Sequence, residues 1–144
     1  MQISKNIIVS FVCYLLCAGF TANAAVDQSI TYKNQRGSIM TLTWHSSTKN
    51  TGTLTGTFTT MVGKCAADVG VPVPLSGFFN GNAVAITFNF PHCQQVVAMT
   101  GHLTDQNNAL STLWLDATLS HDPIHKDWDA NITGADYYKR EINI

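Results

Sequence analysis

The stretch Thr112–Tyr138, TLWLDATLSHDPIHKDWDANITGADYY, carries Trp114, Trp128 and, just before two tyrosines, the carboxylate of Asp136. Large flat rings beside one ionised group make walls and a hydrogen-bond acceptor, which suits a pocket for a compact, partly polar ligand. Catalytic chemistry finds little support. No G-x-S-x-G, Walker loop, C-x-x-C or paired-carboxylate motif is present, and Ser, His and Asp fall at no diagnostic spacing. A binding protein is therefore expected, not an enzyme. His121 and His125 have the spacing of metal ligands on a helix, but Pro123 lies between them and no third ligand is evident, so no metal is expected. His45, His92 and His102 are scattered and read as surface residues.

The elements that must position this chemistry are strands. The chain is rich in Thr, Val, Phe and Gly, and its apolar period is two. Ser38, Met40, Leu42 and Trp44 alternate with Ile39, Thr41 and Thr43; Leu54, Gly56, Phe58 and Thr60 alternate with threonines; Ile86, Phe88 and Phe90 oppose Thr87 and Asn89. Turn signals at Gln35-Arg36-Gly37, Lys49-Asn50-Thr51-Gly52, Asn80-Gly81-Asn82 and Asp105-Gln106-Asn107-Asn108 separate the runs. About eight strands follow, near 30–34, 37–45, 52–60, 73–79, 82–90, 95–104, 109–118 and 129–140. Short turns favour antiparallel neighbours, so the expected fold is an all-β up-and-down barrel or a sandwich. The longest connection, 61–72, reads as a functional loop. If Trp114 points inward, Leu113 and Leu115 point outward, which suggests a subunit interface. Tyr32 reads as packing at the closed end, and Trp44 as core or rim.

The N-terminus reads as a secretory signal: Lys5, an apolar run from Ile7 to Phe20, and Ala22-Asn23-Ala24 as the cleavage site. Residues 1–24 are thus expected to be removed, leaving one domain over 25–144 that is secreted or periplasmic. Removal takes Cys13 and Cys17 away and leaves Cys65 and Cys93, which in an oxidising compartment read as one disulfide. The formal net charge is −1, which argues against nucleic acid or an anionic membrane surface as partners. The mature part has no apolar stretch long enough to span a bilayer.

In order along the chain, Asn34-Gln35-Arg36-Gly37-Ser38, Leu54-Thr55-Gly56-Thr57-Phe58-Thr59-Thr60, Pro74-Leu75-Ser76-Gly77, Thr100-Gly101, Leu113-Trp114-Leu115, Asp127-Trp128 and Gly134-Ala135-Asp136 resemble the avidin and streptavidin family of biotin-binding proteins. The resemblance runs from about Ile30 to Tyr138, and the cysteine pair is similar to that of small bacterial avidins whose disulfide ties two loops at the pocket mouth. It implies an eight-stranded antiparallel up-and-down barrel with biotin at one end. Asn34 and Ser38 would donate to the ureido oxygen, while Asp136 and Thr60 would accept from the two ureido N–H groups. Trp114 would be a pocket wall, Trp128 a ring lent to a neighbouring subunit, and Val62, Gly63 and Lys64 the start of the closing loop.

The departures from the family pattern are as informative. Phe58 replaces the tyrosine that reaches the ureido oxygen, Phe90 a tryptophan, Met99 an aromatic, and Val97 the threonine on the thioether sulfur. Gln95 stands near the valerate carboxylate. Asp116 replaces an apolar wall residue. Facing the mouth, it would repel a free carboxylate and favour biotin amides or biotinylated protein; bent outward, it would be an ordinary surface charge. The expected ligand is biotin or a biotinylated molecule, with no cofactor. Self-association is expected as a dimer or a tetramer, since Trp128 and the cysteine pair point to different relatives. Two other readings stay open: a lipocalin-like barrel for a different small ligand, and a β-domain whose outer face binds protein.

Overall fold

The computed structural model describes residues 27–119 and 130–142, apart from the side chain of Asp105. The expected signal sequence, and with it residues 1–24, lies outside the described residues, as do His121, Pro123, His125 and Trp128. The strands are β1 (Gln28–Asn34), β2 (Ile39–Ser46), β3 (Thr51–Thr59), β4 (Pro72–Asn80), β5 (Ala83–Phe90), β6 (Gln95–Thr104), β7 (Ala109–Thr118) and β8 (Asn131–Arg140). Each pairs antiparallel with the next in sequence, and β8 returns to β1, so the sheet is a closed up-and-down barrel and not a sandwich. Strand ends differ from the sequence expectation by up to two residues in either direction, because alternation marks side-chain burial whereas strand limits follow backbone hydrogen bonding.

Alternation puts one side chain in two into the barrel. Tyr32, Met40, Leu42, Leu54, Ile86, Leu110 and Tyr138 are fully buried and fill it. Tyr32 plugs the end away from the pocket, where its hydroxyl donates to the Asn107 carbonyl at 3.0 Å. Burial pushes its phenol up to about 12, against a smaller opposing effect of Arg140. Trp44 packs edge-on against Phe79 with ring centroids 5.0 Å apart, beside the core. No helix among the described residues is long and apolar enough to cross a membrane.

The β3–β4 connection spans residues 60–71, equal in length to the β7–β8 connection, and contains a 3-10 turn, Ala66–Asp68. It is fastened at Cys65, which is bonded to Cys93 in the β5–β6 turn, 28 residues away in sequence. Closing a loop of that size removes chain entropy from the unfolded state, about 3–4 kcal/mol in the entropic model. Replacing both cysteines with serine is expected to lower the melting temperature by roughly 15 °C. Calorimetry of the double variant checks this, and an unchanged melting temperature would show that the bridge stabilises nothing.

Candidate ligand-binding site

A cavity of about 460 Å³ opens between the ends of the strands opposite Tyr32. Every pocket residue expected from sequence within the described chain lines it: Asn34, Ser38, Phe58, Thr60, Val62, Phe90, Val97, Met99, Trp114, Asp116 and Asp136. Trp128 lies outside the described residues.

The polar end is built by the tight turn between β1 and β2. Gly37 sits at φ 86°, a conformation that glycine adopts without strain, and its N–H reaches the Asn34 carbonyl at 3.0 Å. Asn34 Oδ1 accepts from the backbone N–H groups of Arg36 at 3.0 Å and Ser38 at 2.8 Å. That fixes the amide, so its NH₂ is the group left to donate. Ser38 Oγ accepts from the Met61 N–H at 3.0 Å, which leaves its own proton to give. Thr60 donates to the Val62 carbonyl, accepts from the Val62 N–H at a long 3.4 Å, and keeps one lone pair to accept with. Asp136 Oδ1 accepts from Gln35 Nε2 at 3.0 Å, which leaves its other oxygen free for a ligand. The remainder is two donors and two acceptors, from four different places in the chain.

The apolar end consists of rings and chains from β3, β5, β6 and β7. Phe58 stacks on Phe88 with centroids 4.4 Å apart, and Phe90 meets Phe88 edge-on at 5.4 Å. Phe58 therefore contributes area but no hydroxyl. Val97 and Met99 are buried beside them, and Trp114 packs against the same cluster. The Trp114 indole has room only because its partner on β8 is Gly134: a Cβ there would sit 2.3 Å from the ring.

Val62, Gly63 and Lys64 stand on the lip, and the loop behind them is held down twice. Beyond the disulfide, Asp68 is buried at 1% exposure beneath it. Its carboxylate accepts from the Cys93 N–H at 2.8 Å and lies 2.6 Å from His92 Nδ1. His92 is thus exposed, as expected, but engaged. Sequence reasoning did not assign Arg36, Asp68, Phe88 or Ile132 to the pocket, all of which line it. Phe88 and Ile132 share the inward parity of Phe90 and Asp136 and were findable from that. Asp68 carries no local signal, since only the folded loop brings it under Cys93.

Among the described residues, Asp116 Oδ1 and Trp114 Nε1 in the pocket wall are buried with no hydrogen-bond partner, and the Tyr138 hydroxyl below them is buried beside the Asn34 and Asp136 side chains without a well-formed bond to either. Burial pushes the Asp116 carboxyl up. Burial and then the Asp136 carboxylate push the Tyr138 phenol up, with Asn34 and Arg36 opposing, so it stays neutral. An unmade bond at a fully buried hydroxyl costs about 1 kcal/mol or more. Tyr138→Phe is therefore expected to raise the melting temperature of the ligand-free protein by a few degrees; a fall of similar size would mean that the hydroxyl has a partner.

The chain matches the family model described as the avidin family over residues 22–141. No curated protein sequence matches it. Among solved structures it is similar to bradavidin, with 26% identity over 81% of this chain and 84% of that one and a TM-score of 0.65. It is similar to core-bradavidin, with 25% identity over 79% and 100% and a TM-score of 0.65. It also shares its fold with rhizavidin solved with biotin, at 22% identity over 79% and 100% and a TM-score of 0.62. Because the family match spans the barrel from before β1 to the end of β8, the chain belongs to the avidin family.

Proposed function

We propose that this protein is an exported biotin-binding protein and not an enzyme, and that it holds the ureido group between Asn34, Ser38, Thr60 and Asp136. The observation that carries this is the hydrogen-bond remainder at the polar end. Two unused donors, the Asn34 NH₂ and the Ser38 hydroxyl, match the two lone pairs of a ureido oxygen. Two unused acceptors, on Thr60 and Asp136, match its two N–H groups. Each of the four is already fixed by a bond to the protein, so binding orders little. Stacked and edge-on phenylalanines with Trp114 then cover an apolar ring system. Rhizavidin, whose fold this chain shares, is solved as a biotin complex. Phe58 and Val97 each forgo a hydrogen bond, at roughly 0.5–1.5 kcal/mol apiece, which weakens binding without abolishing it.

Biotin at a hundred times its dissociation constant is expected to stabilise the protein by about 2.7 kcal/mol, readable as a melting shift. No shift at millimolar biotin would favour a different ligand for this barrel. Asp136→Ala removes a charged acceptor, and its expected cost is roughly 10- to 150-fold in affinity. Titration calorimetry measures it.

The same reading includes self-association through the outside of the barrel. Phe78 and Leu113 are 68% and 67% exposed, in one outward row that runs Phe78, Ala85, Thr100, Leu113, Ala135 across β4 to β8. Leu115, Val96 and Tyr137 extend it. Hydrophobic surface of this kind favours burial against a second copy. Leu113→Asp combined with Leu115→Asp is expected to reduce the mass measured by light scattering to that of one chain. A wild type that already runs as one chain would remove the idea.

A further inference from the structure

We propose that the pocket takes biotin as an amide in preference to the free acid, and that Asp116 makes the selection. The inference rests on the ureido-binding reading above. Asp116 lies on the inner side of β7, two residues beyond Trp114, flanked by Val97 on β6 and Ile132 on β8. It lines the cavity and does not bend outward into solvent.

Its height in the barrel can be read from the register. Thr112 is level with Asp136, and Asp116 is level with Ile132, nearer the mouth. That separation along β7 is roughly 13 Å at about 3.3 Å per residue. For a strand tilted by about 40° it is roughly 10 Å along the barrel axis. A ligand anchored at Asp136 by its ureido group, with a fused bicycle and a valeryl tail, brings the end of that tail to the level of Asp116.

The chemistry at that level is one-sided. Asp116 Oδ1 is buried and has no donor among the described residues. The residues flanking it, Val97 and Ile132, cannot supply one, and Gln95, one inward position nearer the mouth, turns its Nε2 to Thr118 Oγ1 at 3.4 Å. The other carboxylates of the cavity are already engaged: Asp136 by Gln35, and Asp68 by Cys93 and His92. A free acid would place a second carboxylate against a half-buried, unpaired one whose Oδ1 is shut off from water, where repulsion is less screened than in bulk solvent. An amide at the same carbon is neutral and carries an N–H that Asp116 can accept. Among the described residues, the countervailing cations that line the cavity are Arg36, in the β1–β2 turn, and Lys64, whose neighbour Cys65 is bonded to Cys93 in the β5–β6 turn. Were Lys64 to capture the tail, the free acid would bind better, which is the opposite outcome. Biotin attached through an amide, as on the amine of a lysine, is thus the ligand class that completes the site.

Three probes decide it at pH 7.5: free biotin, its primary amide and its methyl ester, each titrated by calorimetry into the mature protein. The expected order is amide, then ester, then acid, with at least tenfold between amide and acid. Asp116→Asn and Asp116→Leu are expected to bring that ratio to within about twofold, while melting at or above the wild-type temperature because an orphan carboxylate has gone. Equal binding of acid and amide by the wild type overturns the proposal. So does an ester bound as tightly as the amide, or a ratio that survives both substitutions. Binding of none of the three probes removes the ureido reading and this one together, whereas tight but unselective binding removes only this one.

Discussion

The site depends on barrel closure, and closure depends on a short seam. β1 and β8 pair at only Tyr32 with Arg140, Lys33 with Lys139, and Asn34 with Tyr138. Other adjacent strands pair over longer stretches, as β6 and β7 do from Gln95 to Thr104. Yet this seam brings Asn34, at one end of the sequence, beside Asp136, at the other. Gln35 reinforces it by giving Nε2 to the Asp136 carboxylate and accepting the Tyr137 N–H at 3.3 Å. One side chain thus helps close the sheet and orients the Asp136 carboxylate in the cavity, so a weak seam would loosen the polar end before it loosened the core.

Rigidity at the polar end is local in origin. The Asn34–Ser38 turn uses Oδ1 of Asn34 as the acceptor for its own backbone, so the ligand-facing amide cannot rotate without opening the turn. Ser38 is tied in the same way to the start of the β3–β4 connection through Met61. The remainder of that connection is held by Cys65–Cys93 and by buried Asp68. Turn, strand end and loop therefore fix one another, and what is left over for a ligand is a set of hydrogen-bond vectors already in place. Asp116 Oδ1 and the Tyr138 hydroxyl, which make no well-formed hydrogen bond among the described residues, show that satisfaction is not maximal everywhere. One of these atoms lies in the pocket wall, where a ligand can reach it.

Much of this was legible in the residues. Period-two alternation gave the strands, because a barrel wall has one dry face and one wet one, and Leu113 and Leu115 stood out as outward by the same count. Parity put Phe58 and Phe90 on the apolar faces of their strands, whereas Val97, Met99 and Asp136 entered the site through the resemblance to the avidin family, and an inward Trp114 was the premise that made its neighbours outward. Phe88 and Ile132 carried the same parity signal. Asp68 could not be found in this way, since it lies in a loop with no period, and its neighbours are set by a bridge to a turn far along the chain.

Composition and alternation by themselves determined an all-β chain of about eight strands and the sidedness of the runs around Met40, Phe58 and Phe88, because these follow from local sterics and from the burial of apolar surface. An even pair of cysteines indicated the disulfide. Pattern alone left barrel and sandwich open, and left Asp116 free to point either way. Only the tertiary structure decided those. Closure joins strands that are remote in sequence, and the direction of a side chain near a strand end depends on the neighbours that closure supplies. The same holds for the hydrogen-bond remainder of Asn34, Ser38, Thr60 and Asp136: residue types list what each group could donate or accept, but only the folded turn and loop show which of those capacities are already spent.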